Sequence, residues 1–300
     1  MPAATRRVWR TSRHDIDLAR PRVMGIVNVT PDSFSDGGRH AGPAAAIEYC
    51  ERIVGEGADI LDIGGESTRP GAAPLPADVE LARVLPVLRA ALSLGIPVSI
   101  DTRKPEVMRA ALDAGVDIVN DIRALQVPGA LSLLASHPRC GVCLMHMRGE
   151  PATMQQSAAY VDVVREVLAF LRERAQATQA AGIGAERIVL DPGIGFAKRP
   201  EHNLALLARQ EELLEAGLPL LVGWSRKSTL GALTGRAVDD RLAASLAAAL
   251  AAVQRGASIV RVHDVAATVD ALRVWRVAGL EPPVATAQNP TPTQRPSPGP

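Results

Sequence analysis

Eight short runs of Val, Ile and Leu recur along the chain, and each run ends at polar or charged residues. Amphipathic or small-residue stretches with a helical pattern separate most of them. A continuous apolar run is what a strand buried on both faces requires, and alternation with helices indicates a parallel sheet. Eight such units predict an α/β protein built as one closed (β/α)8 TIM barrel. The predicted strands are Val23–Asn28, Ile60–Asp62, Val98–Asp101, Ile118–Asp121, Val142–His146, Ile188–Asp191, Leu220–Ser225 and Ile259–His263.

The chain has 300 residues, and one barrel of this type takes about 250. No shift of composition divides residues 21–281, so we predict a single domain there. Residues 1–20 are polar and Arg-rich, which predicts a short N-terminal extension that adds a strand or a cap. Residues 282–300 are dense in Pro, Thr and Ser. They bury too little apolar surface to offset the entropy of ordering, so we expect a disordered tail.

Two stretches have the clearest helical pattern. Residues 158–181 carry an apolar stripe at the spacing of one helix face. Residues 239–255 are rich in Ala and Leu, and small alanine side chains allow a close approach to a neighbour. That neighbour is either the barrel or a second subunit, and the pattern favours neither. The alanines on this face are Ala243, Ala244, Ala247, Ala248 and Ala251.

Charge and composition narrow the function class. The net charge is +1 and aromatic residues make up 3% of the chain, so neither a basic stripe nor a stacking platform for nucleic acid is expected. No apolar run approaches the roughly 18 residues of a membrane span. The N-terminus lacks the apolar core of a secretory signal. Three cysteines are too few for a disulfide scaffold, and we therefore expect a cytoplasmic protein.

Polar residues at the strand ends are the main argument for an enzyme. In a closed parallel barrel the carboxyl ends of all strands face one pocket, where active sites of this fold lie. Residues far apart in the sequence should therefore meet there. The expected group comprises Asn28, Asp62, Asp101, Asn120, Asp121, His146, Asp191, Lys227, Arg261 and His263.

Carboxylates and an amide dominate one part of this group. Asp101, Asn120 and Asp191 offer acceptors that suit a heterocycle with an amino-amide edge, which presents N–H donors. For Asp62 and Glu66 we favour bracing of their loop through backbone N–H groups over direct catalysis. Thr102 fits equally well as the N-cap of the following helix or as a ligand.

Cationic groups form the other part. Arg261 and His263 alternate onto one face of the last strand, an arrangement suited to phosphate in this fold. Lys227 precedes a predicted helix N-terminus, which favours an anion or an electron-rich ring edge. Arg69 lies on a Gly/Pro-hinged loop and can clamp an anion. The amide oxygen of Asn28 suits a hydrated Mg²⁺ that takes its other ligands from water and phosphate.

Three further signals are weak. His146 is either a ligand or a satisfied core residue, with no preference between them. Cys140 and Cys143 form a lone C-x-x-C that opens a strand, which disfavours a zinc or redox site. The glycines of residues 191–198 suggest a dinucleotide fingerprint, but Lys198 replaces its third glycine, and we reject that interpretation.

Taken in order, these loops resemble those of the dihydropteroate synthase family over roughly residues 20–280. The first loop reads MGIVNVTPDSFSDGG, and no single motif decides the match, although the whole group is specific. The matching stretches are Met24–Gly38, Gly57–Gly71, Asp101–Lys104, Asn120–Asp121, Met145–Gly149, Asp191–Lys198, Ser225–Ser228 and Arg261–Asp264. Two positions depart from the family, since Arg148 stands where Gln is usual and Ala197 where Gly is usual.

The resemblance implies a transferase of folate biosynthesis, the class of enzyme that sulfonamides inhibit. Its substrates would be 6-hydroxymethyl-7,8-dihydropterin diphosphate and 4-aminobenzoate, and its products 7,8-dihydropteroate and diphosphate. It also implies Mg²⁺ as cofactor and a homodimer. The main alternative is a pterin-binding methyltransferase barrel, which has no use for a diphosphate grip. A non-catalytic paralogue that binds ligands without turnover is the third possibility.

The same resemblance implies a role for each matching residue. The pterin would be held by Asp101, Asn120, Asp191 and Lys227. The diphosphate would be bound by Asn28, Arg69, Arg261 and His263, with Asn28 as the ligand to Mg²⁺. The 4-aminobenzoate would be covered by Phe34, Thr68, Arg69, Pro70, Phe196 and Ser225. Catalysis would depend on Asp101, Lys227, Arg261 and His263.

Overall fold

Eight parallel strands form a closed barrel, which confirms the predicted (β/α)8 fold. The computed structural model describes residues 8–30, 42–68, 71–150 and 153–280. Each barrel strand pairs with the next one along the chain, and the last strand pairs with the first to close the cylinder. All side chains at the carboxyl ends of the strands therefore surround one mouth, which we call the upper end of the barrel.

The described strands and helices have the following bounds. A hairpin of β1 (Val8–Arg10) and β2 (Asp15–Asp17) precedes the barrel. The barrel strands are β3 (Arg22–Asn28), β4 (Ile60–Gly64), β5 (Val98–Asp101), β6 (Ile118–Asp121), β7 (Gly141–Met145), β8 (Ile188–Asp191), β9 (Leu220–Val222) and β10 (Ala257–Val262). The α-helices are α1 (Pro43–Gly55), α2 (Ala77–Ala91), α3 (Pro105–Ala114), α4 (Ala130–Ser136), α5 (Val163–Ala180), α6 (Pro200–Ala208), α7 (Ser228–Thr234), α8 (Leu242–Gln254) and α9 (Val265–Val277).

Element ends differ from the predicted ends where a local hydrogen bond decides them. The predicted helix 158–181 begins only at Val163, because the Asp162 carboxylate accepts the backbone N–H groups of Val164 and Arg165 at 3.0 and 3.2 Å. This side chain satisfies N–H groups that have no partner within the helix. Strand β9 ends at Val222 rather than at the predicted Ser225.

The barrel interior is built in layers, because alternate residues of each strand point inward. The lower layer is apolar except at Ser99 of β5, and its apolar members form one buried cluster. Its strand members are Met24, Ile60, Ile118, Cys143, Val189, Leu221 and Ile259. Two residues further along each strand, about 6.6 Å higher, the pattern places an upper layer that is largely polar. Its members are Ile26, Asp62, Asp101, Asn120, Met145, Asp191, Gly223 and Arg261.

The β1–β2 hairpin closes the lower end of the barrel. Trp9, Ile16 and Leu18 join the lower apolar cluster. The indole N–H of Trp9 donates to the backbone carbonyl of Arg187 at 2.9 Å, which fixes the hairpin to the start of β8. The predicted tail, residues 282–300, lies outside the described residues.

Helix α8 packs on the barrel with only part of its small-residue face. Ser245, Ala248 and Ala252 are buried against the core, whereas Ala243 and Ala247 are exposed. One face of α8 therefore packs on the barrel, and its exposed alanines could still contact a second subunit. Within the described residues, no helix combines the length and apolar character that a membrane span requires.

Candidate active site

Arg261 lies at the centre of the polar upper layer. Its Nε donates to Oδ2 of Asp62 at 2.6 Å, and its Nη2 donates to Oδ2 of Asp101 at 2.7 Å. Burial alone would lower the pKa of Arg261, but the charges of Asp62 and Asp101 outweigh it and raise that pKa above its ordinary value. Three strands distant in sequence therefore meet, as the strand-end pattern predicted.

Asp62 has a different role from the one we expected. It does not brace its loop through backbone N–H groups, because its side chain points into the barrel and is fully buried. Its Oδ2 accepts from Nδ2 of Asn120 at 3.0 Å as well as from Arg261. Its Oδ1 is buried and finds no donor among the described residues. The expectation failed because inward alternation along β4 turns this carboxylate to the interior rather than the loop.

Two titratable groups at this mouth, Asp101 of the upper layer and Lys227 at the N-cap of α7, have pKa values near neutrality. Burial raises the pKa of Asp101 to about 7, with a further increase from Asp62 and an opposing effect of Arg261. Burial and the charge of Arg261 lower the pKa of Lys227 to about 8. Burial also raises the pKa of Asp191, although the Gly193 N–H, 2.7 Å from its Oδ1, favours the charged form.

The loop after β8 is organised around a buried lysine. Lys198 is 3% exposed. Its Nζ lies 2.9 Å from Nδ1 of His146 and donates to the carbonyls of Gly193 and Phe196 at 3.0 Å each. Burial lowers the pKa of His146 to about 2, so this ring is neutral and can accept. His146 is therefore a satisfied interior residue that fixes the loop.

The glycines of this loop serve close packing rather than phosphate binding. Gly193 has φ +67°, and a Cβ there would lie 2.0 Å from the carbonyl oxygen of His146. Only glycine fits such an approach. The loop then carries Phe196 to Lys227, whose Nζ lies 4.4 Å from the centre of the aromatic ring.

Arg261 and His263, which we predicted to bind phosphate together, have different surroundings in the structure. Arg261 reaches the carboxylates of the pocket, whereas His263 contacts Ser225 at the end of the neighbouring β9. Nδ1 of His263 lies 3.0 Å from Oγ of Ser225. Burial, together with the charges of Arg261 and Arg226, lowers the pKa of His263 to about 3, so the imidazole is neutral.

Glu66 braces its loop as expected, but mainly through side-chain ion pairs. Its carboxylate accepts the Leu75 N–H at 3.0 Å and the ammonium of Lys104 at 2.9 Å. Lys104 also pairs with the fully buried Glu80, and Arg103 lies 3.4 Å from Glu66. The ion pair of Lys104 with Glu80 could not be predicted from the sequence, since no motif or periodicity marks a pair between separate elements.

The remaining predicted residues have less specific surroundings. Asn28 and Thr68 are half-buried at the upper end. Thr102 does not cap α3, whose N-cap is Lys104, but its hydroxyl accepts the Lys104 N–H at 3.3 Å. Asp121 accepts the N–H groups of Arg123 and Leu125 at 2.8 Å each and so braces its own turn. Phe34, Arg69 and Pro70 lie outside the described residues.

Metal ligation by side chains alone has no support in the described part of the chain. It contains no cluster of three or more His, Cys, Asp or Glu side chains that could hold an ion. Cys140 packs in the outer core, and Cys143 lies in the lower layer of the barrel. Burial raises the pKa of the Cys140 thiol to about 12, which leaves it protonated.

The two positions that depart from the resembling family have local explanations. The guanidinium of Arg148 lies 4.0 Å from the centre of the Tyr160 ring and pairs with Glu166 at 2.5 Å. Arg148 thus ties its loop to the start of α5. Ala197 has φ +49°, a left-handed conformation that favours glycine, and its carbonyl accepts from the Tyr160 hydroxyl at 3.1 Å.

Comparison with known proteins agrees with this geometry. A family model described as "Pterin binding enzyme" matches residues 24–263. The dihydropteroate synthase of Neisseria meningitidis serogroup B is 53% identical over 281 residues, covering 92% of this chain and 99% of that protein. The Xanthomonas albilineans dihydropteroate synthase structure with 4-aminobenzoic acid has 51% identity and a TM-score of 0.87, covering 93% of this chain and 100% of that chain.

A third comparison comes from Burkholderia cenocepacia. Its dihydropteroate synthase, complexed with 7,8-dihydropteroate, has 49% identity and a TM-score of 0.83, with coverage of 91% of this chain and 96% of that chain. These matches cover more than nine tenths of this chain. The chain therefore belongs to the pterin-binding enzyme family and, within it, to the dihydropteroate synthases.

Proposed function

We propose that this protein condenses 6-hydroxymethyl-7,8-dihydropterin diphosphate with 4-aminobenzoate to give 7,8-dihydropteroate and diphosphate. One observation carries the proposal. The buried Asp62 meets the partly buried Asp101 and Arg261 at one barrel mouth, where Arg261 is bonded to both carboxylates. The Burkholderia and Xanthomonas relatives, bound to 7,8-dihydropteroate and to 4-aminobenzoic acid, support the same reaction.

The acceptors of the upper layer define the pterin site. Asp101, Asn120 and Asp191 offer oxygens to the N–H donors of an amino-amide edge. Lys227 supplies a donor to the ring from the opposite side, beside Asp191 and Asp101, whose charges act on it. Asn120 and Asp191 are buried in the barrel, and Asp101 and Lys227 are partly buried at its mouth, so water has limited access to this site.

The diphosphate site would use the donors of Arg261, in this layer, and of His263 and Arg69, in the loops that follow the strands. Arg261 donates Nε–H and one N–H of Nη2 to the two carboxylates, so within the described part of the structure both N–H groups of Nη1 and the second one of Nη2 remain for an anion. His263 is neutral and donates through one ring nitrogen. Arg69, on the loop after β4, would complete the grip on the leaving group.

The chemistry follows from this division of charge. The carbon–oxygen bond at the pterin methylene breaks, and its electron pair leaves with the diphosphate. The lone pair of the 4-aminobenzoate nitrogen forms the new carbon–nitrogen bond, and that nitrogen then loses a proton. Asp101 stabilises the positive charge that develops on the pterin, while Arg261 and His263 stabilise the negative charge on the leaving group.

The 4-aminobenzoate would bind between the loops that border the mouth. Phe196 packs over Lys227 and offers an aromatic wall. Thr68 stands at the described edge of the loop after β4. Together with Phe34, Arg69, Pro70 and Ser225, these side chains would cover the second substrate and exclude water from the cation.

A magnesium ion fits this site as a partner of the diphosphate. Asn28 provides one neutral oxygen at the end of β3, and Mg²⁺ commonly binds one or two protein oxygens, water and substrate phosphate. The absence of an acidic cluster among the described residues agrees with such a substrate-assisted site. When bound, the ion would neutralise charge on the departing diphosphate.

A homodimer and a cytoplasmic location complete the proposal. Leu233, Val238 and Leu242 are 57%, 45% and 41% exposed, and the exposed Ala243 and Ala247 follow them on α8. This apolar segment would pack against a second copy of the chain. The three cysteines are free and buried, which fits a reducing compartment. Sedimentation should give twice the chain mass, and a monomer would contradict the dimer.

A turnover assay tests the proposed reaction. Purified protein with both substrates and Mg²⁺ should release one diphosphate for each dihydropteroate formed, and omission of 4-aminobenzoate should stop release. Methyl transfer from methyltetrahydrofolate without dihydropteroate formation would favour the methyltransferase alternative. Ligand binding without turnover under these conditions would identify a non-catalytic paralogue.

A further inference from the structure

Ser225 and His263 are joined by two hydrogen bonds across the ends of β9 and β10. The backbone N–H of His263 donates to Oγ of Ser225 at 3.1 Å, and the same Oγ lies 3.0 Å from Nδ1 of the imidazole. Ser225 is 6% exposed, so water has little access to its hydroxyl. These contacts use the hydroxyl for His263 and direct it away from a substrate role.

The proton count at this hydroxyl decides the state of the imidazole. Oγ already accepts one N–H, and it has one proton of its own to donate. If Nδ1 also carried a proton, Oγ would accept twice and its own proton would find no acceptor among the described residues. A buried unsatisfied donor is costly, so Ser225 donates to Nδ1. His263 then carries its single ring proton on Nε2.

A bidentate ion pair holds the two loops in this register. Arg226 donates through Nη2 and Nε to the Asp264 carboxylate at 2.6 and 3.1 Å. Arg226 directly follows Ser225, and Asp264 directly follows His263. The hydrogen bonds between Ser225 and His263 are therefore fixed by a second link one residue further along each loop.

We propose that Ser225 is a positioning residue that holds His263 as the neutral Nε2–H tautomer, so that the imidazole presents one fixed donor to the diphosphate. This assignment rests on the proposed function for the identity of the anion. It gives Ser225 a role through His263, in place of direct contact with 4-aminobenzoate. Nε2 has no partner among the described residues, so it remains available to a ligand.

Nitrogen NMR of the imidazole tests the tautomer without any substrate. In protein labelled with ¹⁵N-histidine, His263 should show a pyridine-type Nδ1 and a pyrrole-type Nε2, identified by loss of its signals in His263→Gln. In Ser225→Ala the two shifts should move toward each other, as both tautomers become populated. Ser225→Thr, which keeps a hydroxyl, should retain the wild-type pattern. A wild-type Nδ1–H or imidazolium would overturn the proposal even if Ser225→Ala fails to fold.

Binding of inorganic diphosphate tests the consequence. Calorimetry in one magnesium-containing buffer should show an affinity about tenfold lower for Ser225→Ala, the size expected for loss of one oriented hydrogen bond. Ser93→Ala removes an exposed hydroxyl that bonds only to the nearby Ala90 carbonyl, and it should bind as wild type. Unchanged shifts and unchanged affinity in Ser225→Ala would refute the positioning role. If the ¹⁵N shifts of His263 behave as predicted but the protein does not bind diphosphate, the positioning role would be supported and the proposed function refuted.

Discussion

The two inner layers of the barrel use the same strands for opposite purposes. The lower layer consists of apolar side chains on seven of the eight strands, with Ser99 on β5, and it is closed from below by Trp9, Ile16 and Leu18 of the hairpin. The upper layer, two residues further along each strand, contains Asp62, Asp101, Asn120, Asp191 and Arg261. Such groups are costly to bury. Asp62, Asp101, Asn120 and Arg261 are joined by hydrogen bonds to one another, and Asp191 accepts the Gly193 N–H.

This difference separates stability from chemistry along the barrel axis. An apolar layer gains free energy from every buried side chain and needs no exact partner. A polar layer gains little for stability, but it holds preorganised charges where water is excluded. Changes in the upper layer should therefore affect catalysis first, and changes in the lower layer should affect folding first.

The largest expected effect is that of Arg261→Ala. The change removes the group that joins the pterin carboxylates to the leaving group, and kcat/KM should fall by about 10³-fold. Steady-state kinetics with both substrates measures it. Arg89→Ala, at an exposed position of α2, serves as the control and should behave as wild type. A loss below tenfold in Arg261→Ala would mean that the guanidinium does not act in the transition state.

The next effect concerns the lower layer. Ile118 is fully buried there, and Ile118→Ala should lower the free energy of unfolding by about 2–5 kcal/mol because it removes packed atoms and leaves a cavity. Urea denaturation measures this change, with the exposed Val161→Ala as control. The KM values of the folded variant should stay as in wild type. A large change in KM with unaltered stability would contradict the separation of the two layers.

The strand layers were predictable because the pattern that defines them is local. Short apolar runs located every barrel strand. The residue that ends the run lies in the upper layer for Asp62, Asp101 and Asp191, whereas on the other strands that layer is formed by a residue before the end of the run. The roles of Asp101, Asn120, Asp191 and Lys227 remain predictions, although the structure brings these side chains to one pocket. The same periodic argument gave no information on Phe34, Arg69 and Pro70, which lie in loops outside the described residues.

Pairings between elements were not predictable in the same way. Nothing local in the sequence indicates that Lys198 bonds to His146, that Ser225 bonds to His263, or that Arg261 bonds to Asp62. Each depends on which side chains the closed barrel brings within about 3 Å. The chain contains three lysines, Lys104, Lys198 and Lys227, and all three are engaged at the upper end. That scarcity was a sequence signal that could have identified Lys198 and Lys104.

A smaller effect is expected from Lys198→Met. Methionine fills the space, but it removes the donor to the carbonyls of Gly193 and Phe196. The aromatic wall should then lose its position, and KM for 4-aminobenzoate should rise about tenfold. Affinity for inorganic diphosphate, measured by calorimetry, should not change, because His263 lies on other loops. If binding of 4-aminobenzoate and binding of diphosphate were weakened equally, the substitution would have damaged the fold in general.

The smallest effect is the pH dependence near neutrality. Burial raises the pKa of Asp101 to about 7, so its carboxylate forms as pH rises through that value. Burial lowers the pKa of Lys227 to about 8, so its ammonium is lost as pH rises further. If both charged forms are needed, kcat/KM should be bell-shaped with half-maximal values near those two pH values.

Asp101→Asn provides the check on this profile. The variant should be less active and should lose the acidic limb, since an amide does not titrate. The basic limb should remain, and ¹³C NMR of the three lysine side chains should show Lys227 titrating near pH 8. If kcat/KM of Asp101→Asn still depended on pH with both limbs, the acidic limb would belong to another group.

The central claim is that one mouth contains an acidic half for the pterin and, for the diphosphate, a half formed by the Arg261 cation and the neutral donor His263. Calorimetry with 6-hydroxymethyl-7,8-dihydropterin and with inorganic diphosphate, applied separately to Asp191→Asn and His263→Ala, tests it most directly. We predict that Asp191→Asn weakens binding of the pterin alone and that His263→Ala weakens binding of diphosphate alone. Equal weakening of both ligands in both variants would contradict the division.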